Sequence, residues 1–518
     1  MSSYFCAIPK FPPDTSEHEA LCNRGADLLS RAQTRTGEEA SRLLSAACEQ
    51  FEAALDINPD YPEALNSWGA ALSAQAQAKT AEEADCLFAQ ACTKFEAALS
   101  IKPDSHEALN NWGSALSEQA RAKTGEEADG LFAEAGAKFE AALCIKSDKH
   151  EAIYNWGRVL LCQGETKSGE EANLLFSAAC AKFEAVLAIK PDDHDALNNW
   201  GDALADQAQA KTGEEADRLF AEARGKYEAA LRIKPDNHRP LYNWGTALVC
   251  QGETKTGKEA GHLFTQACLK FEAALRIKPD YHEAHNNWGG SLCHLAQAET
   301  GEGAERLFAE ACSRFEAALR IKPDDHGALY NWGIALAELA RTKDGPEADR
   351  LFNESFAKYT AALSIKPDKH EALYNWGTAL YRQAKTKDGE DAGCLFSEAC
   401  AKFDAALSVK PDDHDAFIWW GIALYERAKT KGAEEARTLY KSAQERYLQA
   451  ENLVPGCASY DLACIASFLG QPEECRAWLA NCRTHDSLPN REHIERDSDL
   501  DAVRNLEWFK EFLISVEK

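Results

Sequence analysis

No stretch of this 518-residue sequence stays apolar for the ~18 residues that a bilayer crossing requires, so no membrane span is expected. The opening residues, 1–15, carry a single lysine, with Pro12 and Pro13 beside Phe11 and no apolar core, and they do not read as a secretory leader. Positive charge is in short supply: 57 Lys and Arg stand against 84 Asp and Glu, a net charge of -27. Phosphate backbones and anionic lipid heads are held by cations, so nucleic acid and membranes are not expected partners. The same acidity keeps an Ala-rich chain soluble and would speed its encounter with a basic or polar protein segment. Gly-rich phosphate loops, G-x-S-x-G elbows and HExxH pairs are missing. No catalytic residue, cofactor or metal is therefore expected, and the expected location is cytoplasmic.

What the sequence has is repetition. Trp-Gly occurs at Trp68, Trp112, Trp156, Trp200, Trp244, Trp288, Trp332, Trp376 and Trp420, always 44 residues apart. Chance does not produce such a register, and periods of this length signal stacked structural units. One step upstream Gly25 keeps the phase while Arg24 stands in place of Trp, as suits a first unit without a neighbour to bury it.

Each unit reads as two helices. Around Trp112, Asp104 and Glu107 have capping-box spacing, and apolar positions recur at Leu109, Trp112, Ala115 and Leu116. A break at Lys123 to Gly125 follows. Thr124 and Glu127 repeat the capping pattern, and Leu131, Phe132, Ala135, Phe139, Ala142 and Leu143 share one face of a second helix. The indoles are expected to be buried between neighbouring units, each removing roughly 150 to 250 Å² from water.

Gly113, Ala135, Phe139, Ala142 and, one unit earlier, Pro103 carry a resemblance to the tetratricopeptide repeat. The resemblance implies an all-α fold, a right-handed α-solenoid of stacked antiparallel helix pairs. It implies that Gly113 and Ala135 let the two helices approach, with Phe139 and Trp112 filling the space between units. The usual period is about 34 residues; the extra length here falls in Gln119 to Asp129 and reads as longer helices. The chain divides into an N-terminal extension at 1–15, ten long units over 16–455, a shorter closing hairpin at 456–483 and a capping segment with a terminal helix at 484–518. Leu506, Trp508, Phe509, Phe512 and Leu513 make that helix a lid.

In the repeat family the first helices line a concave wall, and the residue before the Trp here matches a position that often holds a ligand-binding Asn. Asn111, Asn155, Asn199, Asn243, Asn287, Asn331 and Asn375 form seven consecutive rungs between Ser67 and Trp419. An amide donates and accepts at once, so such a ladder suits either the backbone of an extended peptide or the scaffold itself, and both readings stand. One residue earlier, Tyr154, Tyr242, Tyr330 and Tyr374 alternate with Asn66, Asn110, Asn198 and Asn286, which is where specificity is expected. Further along, Asp202, Asp206, Glu118 and Glu338 stand against Arg158 and Arg382. Chaperone-binding members of the family carry Lys at the Asn/Tyr position; none is present, so that activity is not implied.

Eight His recur at the repeat period from His106 to His414, too far apart in stacked helices to converge on a metal, and they suit the first helical turn. The cysteines follow the repeat as well, with Cys48, Cys92, Cys180, Cys268, Cys312 and Cys400 at one position, as small buried free thiols would. Cys457, Cys464, Cys475, Cys482, His485 and His493 are the one set where zinc or a thiol nucleophile could be imagined, but no tight metal spacing appears. The expected function is a non-enzymatic scaffold or adaptor binding a peptide or protein segment along the first helices. A self-associating structural scaffold is the alternative, and a C-terminal thiol enzyme a distant third.

Overall fold

The computed structural model describes residues 16–35 and 37–516, which leaves the expected extension at 1–15 outside the described residues. Among the described residues there are 24 α-helices, one 3-10 segment and no strand. The all-α arrangement of repeated helix pairs follows. Two compact units divide the chain, 1–277 and 278–518. The first holds six helix pairs, from Glu17–Ala32 with Gly37–Ile57 to His238–Glu253 with Gly257–Ile277. The second holds four further pairs, from His282–Gln297 with Glu302–Ile321 to His414–Lys429 with Ala433–Leu453. It also holds the hairpin Ser459–Phe468 with Pro472–Thr484, and the helices Arg491–Arg496 and Glu507–Ser515.

The first helix of a long pair runs 15 or 16 residues and the second 20 or 21, so the added length of the repeat is helical. At 1.5 Å per residue the second helix is about 30 Å long. From His106 onward, each first helix of a long pair opens on the periodic His. Its cap is the residue just before: Ser105 Oγ accepts from the Ala108 N–H at 3.3 Å, and Asp193, Asn237, Asp325 and Asp413 cap in the same way. The expected Asp104 box is thus displaced by one residue. The expected Thr124 box does not form either, for Thr124 makes no side-chain cap bond. The chain enters that helix through Gly125 at φ +62°, a left-handed approach that a capping box does not use. Where Ala81 replaces this glycine, the preceding Thr80 shifts to φ -63° from the -135° of Thr124, and the left-handed residue is gone.

Within a pair the contact is made by glycine against an aromatic ring. A Cβ on Gly113 would lie 2.9 Å from the Phe139 ring and 3.1 Å from the Ala135 carbonyl. Phe139 is fully buried; it packs inside its own pair on Gly113 and shares a core cluster with Ala152 and Val159 of the next pair. The Trp does lie between units, but its exposure differs from expectation. Apart from Trp288 the indoles are half-buried, and a cation covers one face of each ring. Lys138 Nζ stands 3.4 Å from the Trp112 ring centre and Lys226 3.1 Å from that of Trp200; Arg314 and Arg446 do the same for Trp288 and Trp420. Arg24, in the unit without Trp, is exposed.

Neighbouring pairs are also tied at the turn. Lys123 Nζ reaches Asp85 of the preceding second helix at 2.7 Å, and Lys167–Asp129, Lys255–Asp217, Lys343–Glu305 and Lys387–Asp349 repeat the tie. In the second unit the closing hairpin is anchored by the buried Glu451. Its carboxylate accepts from the N–H of Gly456 and Ala458, from Ser459 Oγ and from Asn481 Nδ2. One second helix, Gly169–Ile189, is long and apolar enough to cross a membrane, contrary to the sequence expectation. It packs as an ordinary member of its pair, with Phe176, Ala179, Phe183 and Val186 buried.

Candidate protein-binding surface

The Asn ladder is engaged by the scaffold. Asn111 Nδ2 donates to Asn66 Oδ1 at 3.1 Å and Asn155 to Asn110 Oδ1 at 3.1 Å; Asn199 donates to the Tyr154 hydroxyl at 2.9 Å and Asn243 to Asn198 Oδ1 at 3.2 Å. In the second unit Asn331 donates to Asn286 Oδ1 at 3.0 Å and Asn375 to the Tyr330 hydroxyl at 2.7 Å. Each of these rungs thus reaches back to the Asn or Tyr of the pair before it. Asn287 Oδ1 accepts from Asn286 Nδ2 at 3.2 Å.

The tyrosines are drawn into packing too. Tyr154, Tyr242, Tyr330 and Tyr374 each set their ring against the aromatic of their own second helix, Phe183, Phe271, Tyr359 and Phe403, at 5.9 to 6.4 Å between centroids. Asn111, Tyr154 and Asn155 are buried, which favours the scaffold reading over ligand contact at these three positions. Asn199, Asn243, Asn331 and Asn375 are half-buried with their amide N–H already directed at the neighbouring pair. Buried amides without such partners would be costly, so the row doubles as a polar zipper between pairs.

The charged positions further along the first helices separate into paired and unpaired groups. Glu118 lies 3.5 Å from Arg121 and 3.6 Å from Arg158; Glu338 pairs with Arg341 at 2.6 Å and with Arg382. Among the described residues no ion pair reaches Asp202 or Asp206, in the first unit, and no cation is among the leading influences on either carboxyl. The Tyr227 hydroxyl donates to Asp202 Oδ1 at 2.8 Å, and Asn198 and Asn243 donate to Oδ2 at 3.1 and 2.9 Å.

Burial pushes the Asp202 carboxyl up to about 8, and the charges of Asp206 and Glu165 add to it against the pull of the Tyr227 and Asn243 bonds. Asp206 is pushed up to about 7, by burial first and then by Glu165. Glu165 is raised as well, again by burial, with Arg121 opposing. Asp202 and Asp206 are half-buried by solvent contact and Glu165 is exposed. Water touches these groups yet solvates them poorly, and such surroundings strengthen any charge pairing. Glu165 was not singled out from sequence, since it lies at the helix end, nine residues after Trp156. Only the structure brings it to the two aspartates.

The repeat-phased cysteines are half-buried rather than buried, apart from Cys400. Cys48, Cys92, Cys180, Cys312 and Cys400 face the indole of the following pair. Burial pushes Cys48 up to about 11 and Cys180, Cys312 and Cys400 up to about 12, so these are inert thiols. Among the described residues every cysteine is free. In the C-terminal set Cys464 meets Asp497 and Asp499.

No curated protein matches the chain. Among solved structures, yeast Tom70 is similar at 14% identity and TM-score 0.39, over 96% of this chain and 95% of that one. YrrB, described as a TPR protein with an unusual peptide-binding site, is similar at 17% identity and TM-score 0.29, over 46% of this chain and 96% of its own. TTC0263, a thermophilic TPR protein of Thermus thermophilus, is similar at 17% identity and TM-score 0.33, over 45% and 98%. The family model described as plant specific mitochondrial import receptor subunit TOM20 matches residues 9–106, 106–192, 170–286, 322–381 and 373–467. These segments take in well over half of the sequence, and the chain belongs to that family, here as tetratricopeptide-type helix pairs in long repeats.

Proposed function

We propose that this chain is a non-enzymatic protein-binding receptor or adaptor whose first unit takes a basic segment of another protein on the carboxylates of Glu165, Asp202 and Asp206. The observation that carries this reading is the poor solvation of Asp202 and Asp206, with no ion pair to either among the described residues. A lysine or arginine arriving there meets two carboxyl groups whose ionised form gains from it, in surroundings where such a pair is worth more than at an open surface. The net charge of -27 adds long-range attraction for the same partner.

The receptor character follows the description of the family, and the chemistry of the segment follows the three carboxyl groups. The half-buried edges of Asn199, Tyr242 and Asn243 lie among the same first helices and supply neutral contacts beside the acids. A cytoplasmic location is kept as part of the proposal; the family description makes a mitochondrial surface the alternative, and fractionation separates them.

The test is fluorescence anisotropy of a labelled Lys- and Arg-containing amphipathic peptide against the full chain. Binding should weaken steeply with salt and fall about tenfold or more in the combined Asp202→Asn, Asp206→Asn variant, as expected of a buried charge contact. Salt-insensitive binding that the variant retains would sink the reading.

A further inference from the structure

We propose that the C-terminal segment is fastened to the closing hairpin by a divalent transition-metal site of the zinc type, with Cys464, Asp497 and Asp499 as donors. Cys464 projects from the helix Ser459–Phe468, whereas Asp497 caps the 3-10 turn Ser498–Leu500 on which Asp499 lies. The thiol sulfur and the carboxylate oxygens all lie within 4.8 Å of one another. Cys464 Sγ is 3.7 Å from Asp497 Oδ2. A tetrahedral zinc with bonds of ~2.3 Å to sulfur and ~2.0 Å to oxygen holds such donors about 3.6 Å apart. His493 Nε2 stands 3.8 Å from the same Oδ2, close enough to supply a fourth donor by side-chain rotation.

The surroundings fit an outer shell. The Tyr460 hydroxyl donates to Asp497 Oδ2 at 2.8 Å and the Asp499 N–H to Asp497 Oδ1 at 2.9 Å, which orients the carboxylate. The donors open on a cavity of about 720 Å³ also lined by Tyr425, Tyr447 and Asp461. Tyr425 is 8% exposed, and its hydroxyl lines that cavity without a hydrogen-bond partner. Asp499 is beside it and acts on the hydroxyl, raising its pKa after burial does. A buried orphan donor asks for an acceptor, and a metal-bound carboxylate or water supplies one.

A thiolate among the donors selects a softer ion over calcium or magnesium. On binding, the dication replaces the Cys464 thiol proton, which passes to solvent, and no electron moves. Spacing rules miss the site because its donors come from two elements more than thirty residues apart.

Cobalt(II) titrated into the reduced, chelator-treated full chain tests this. The expected result is one equivalent of a thiolate-to-cobalt charge-transfer band, displaced by zinc and accompanied by a higher Tm. Cys464→Ser should abolish the band, and Asp499→Asn should weaken cobalt about tenfold or more. Far-UV circular dichroism checks both folds, and Asp499→Asn carries the test alone if Cys464→Ser fails to fold. Three outcomes overturn the proposal: no saturable band, a band and affinity unchanged in the folded variants, or calcium and magnesium raising Tm as much as zinc.

Discussion

Lys226 Nζ sits 3.1 Å above the centre of the Trp200 ring, and the same cation-on-indole contact recurs at every Trp-Gly of the repeat. Burial lowers the Lys226 pKa, and Glu184 and Glu222 oppose that shift, so the ammonium is partly desolvated on the face of the ring. Such a contact is worth about 0.5 to 1 kcal/mol. Lys226→Gln should cost about that much in denaturant unfolding of the full chain, and Trp200→Ala about 2 to 4 kcal/mol, less than a fully enclosed indole. Equal unfolding midpoints for Lys226→Gln and wild type would reject the role of the cation.

The glycine of Trp-Gly and the glycines on the outer face of the second helices should respond oppositely to a methyl group. Gly113→Ala forces Phe139 from a site with no spare room and should destabilise by about 1 to 3 kcal/mol. Gly225 is helical and exposed, with nothing within 4 Å of its added Cβ, so Gly225→Ala should stabilise by about 0.5 to 1 kcal/mol. Thermal unfolding of the two variants side by side decides it.

The polar zipper predicts a cost at a buried rung of the ladder. Asn155→Ala removes the donor that reaches Asn110 Oδ1 and Ser114 Oγ, and Asn110 is fully buried. A buried acceptor left without its donor costs about 1 to 3 kcal/mol. If Asn155→Ala melts like wild type, the row is not holding the pairs together.

Asp202 and Asp206 set a pH dependence of known sign. Their folded pKa values, about 8 and about 7, lie above the unfolded carboxylate value, so the folded chain holds protons that unfolding releases. This contribution is present in full below about pH 4 and is lost as pH rises through the two folded values. Asp206→Asn should therefore raise Tm at alkaline pH, leave it unchanged below about pH 4, and flatten the profile between. A variant profile parallel to wild type would contradict the shift.

The helix pairs were legible because their determinants are local and repeated: Trp-Gly, the buried Phe and the period itself. Helix length followed from the helical pattern on either side of the extra residues Gln119 to Asp129. The capping boxes misled at Asp104 and Thr124, because spacing alone does not show that Gly125 turns left-handed or that Ser105 is the true cap.

The candidate surface was legible only in part. The polar rungs were visible as a column, but whether Asn199 faces a ligand or Tyr154 depends on the offset between pairs, which no single repeat encodes. Glu165 joins Asp202 and Asp206, and Cys464 joins Asp497 and Asp499, only through packing across elements.

Calorimetric titration of the Lys- and Arg-containing peptide into the full chain at neutral pH, in two buffers of different ionisation enthalpy, reaches the central claim most directly. A cation docking on protonated carboxyls must drive protons off them, so the account predicts release of about one proton per peptide, absent in the Asp202→Asn, Asp206→Asn variant. Peptide binding with no buffer dependence, or the same release from the variant, would contradict it.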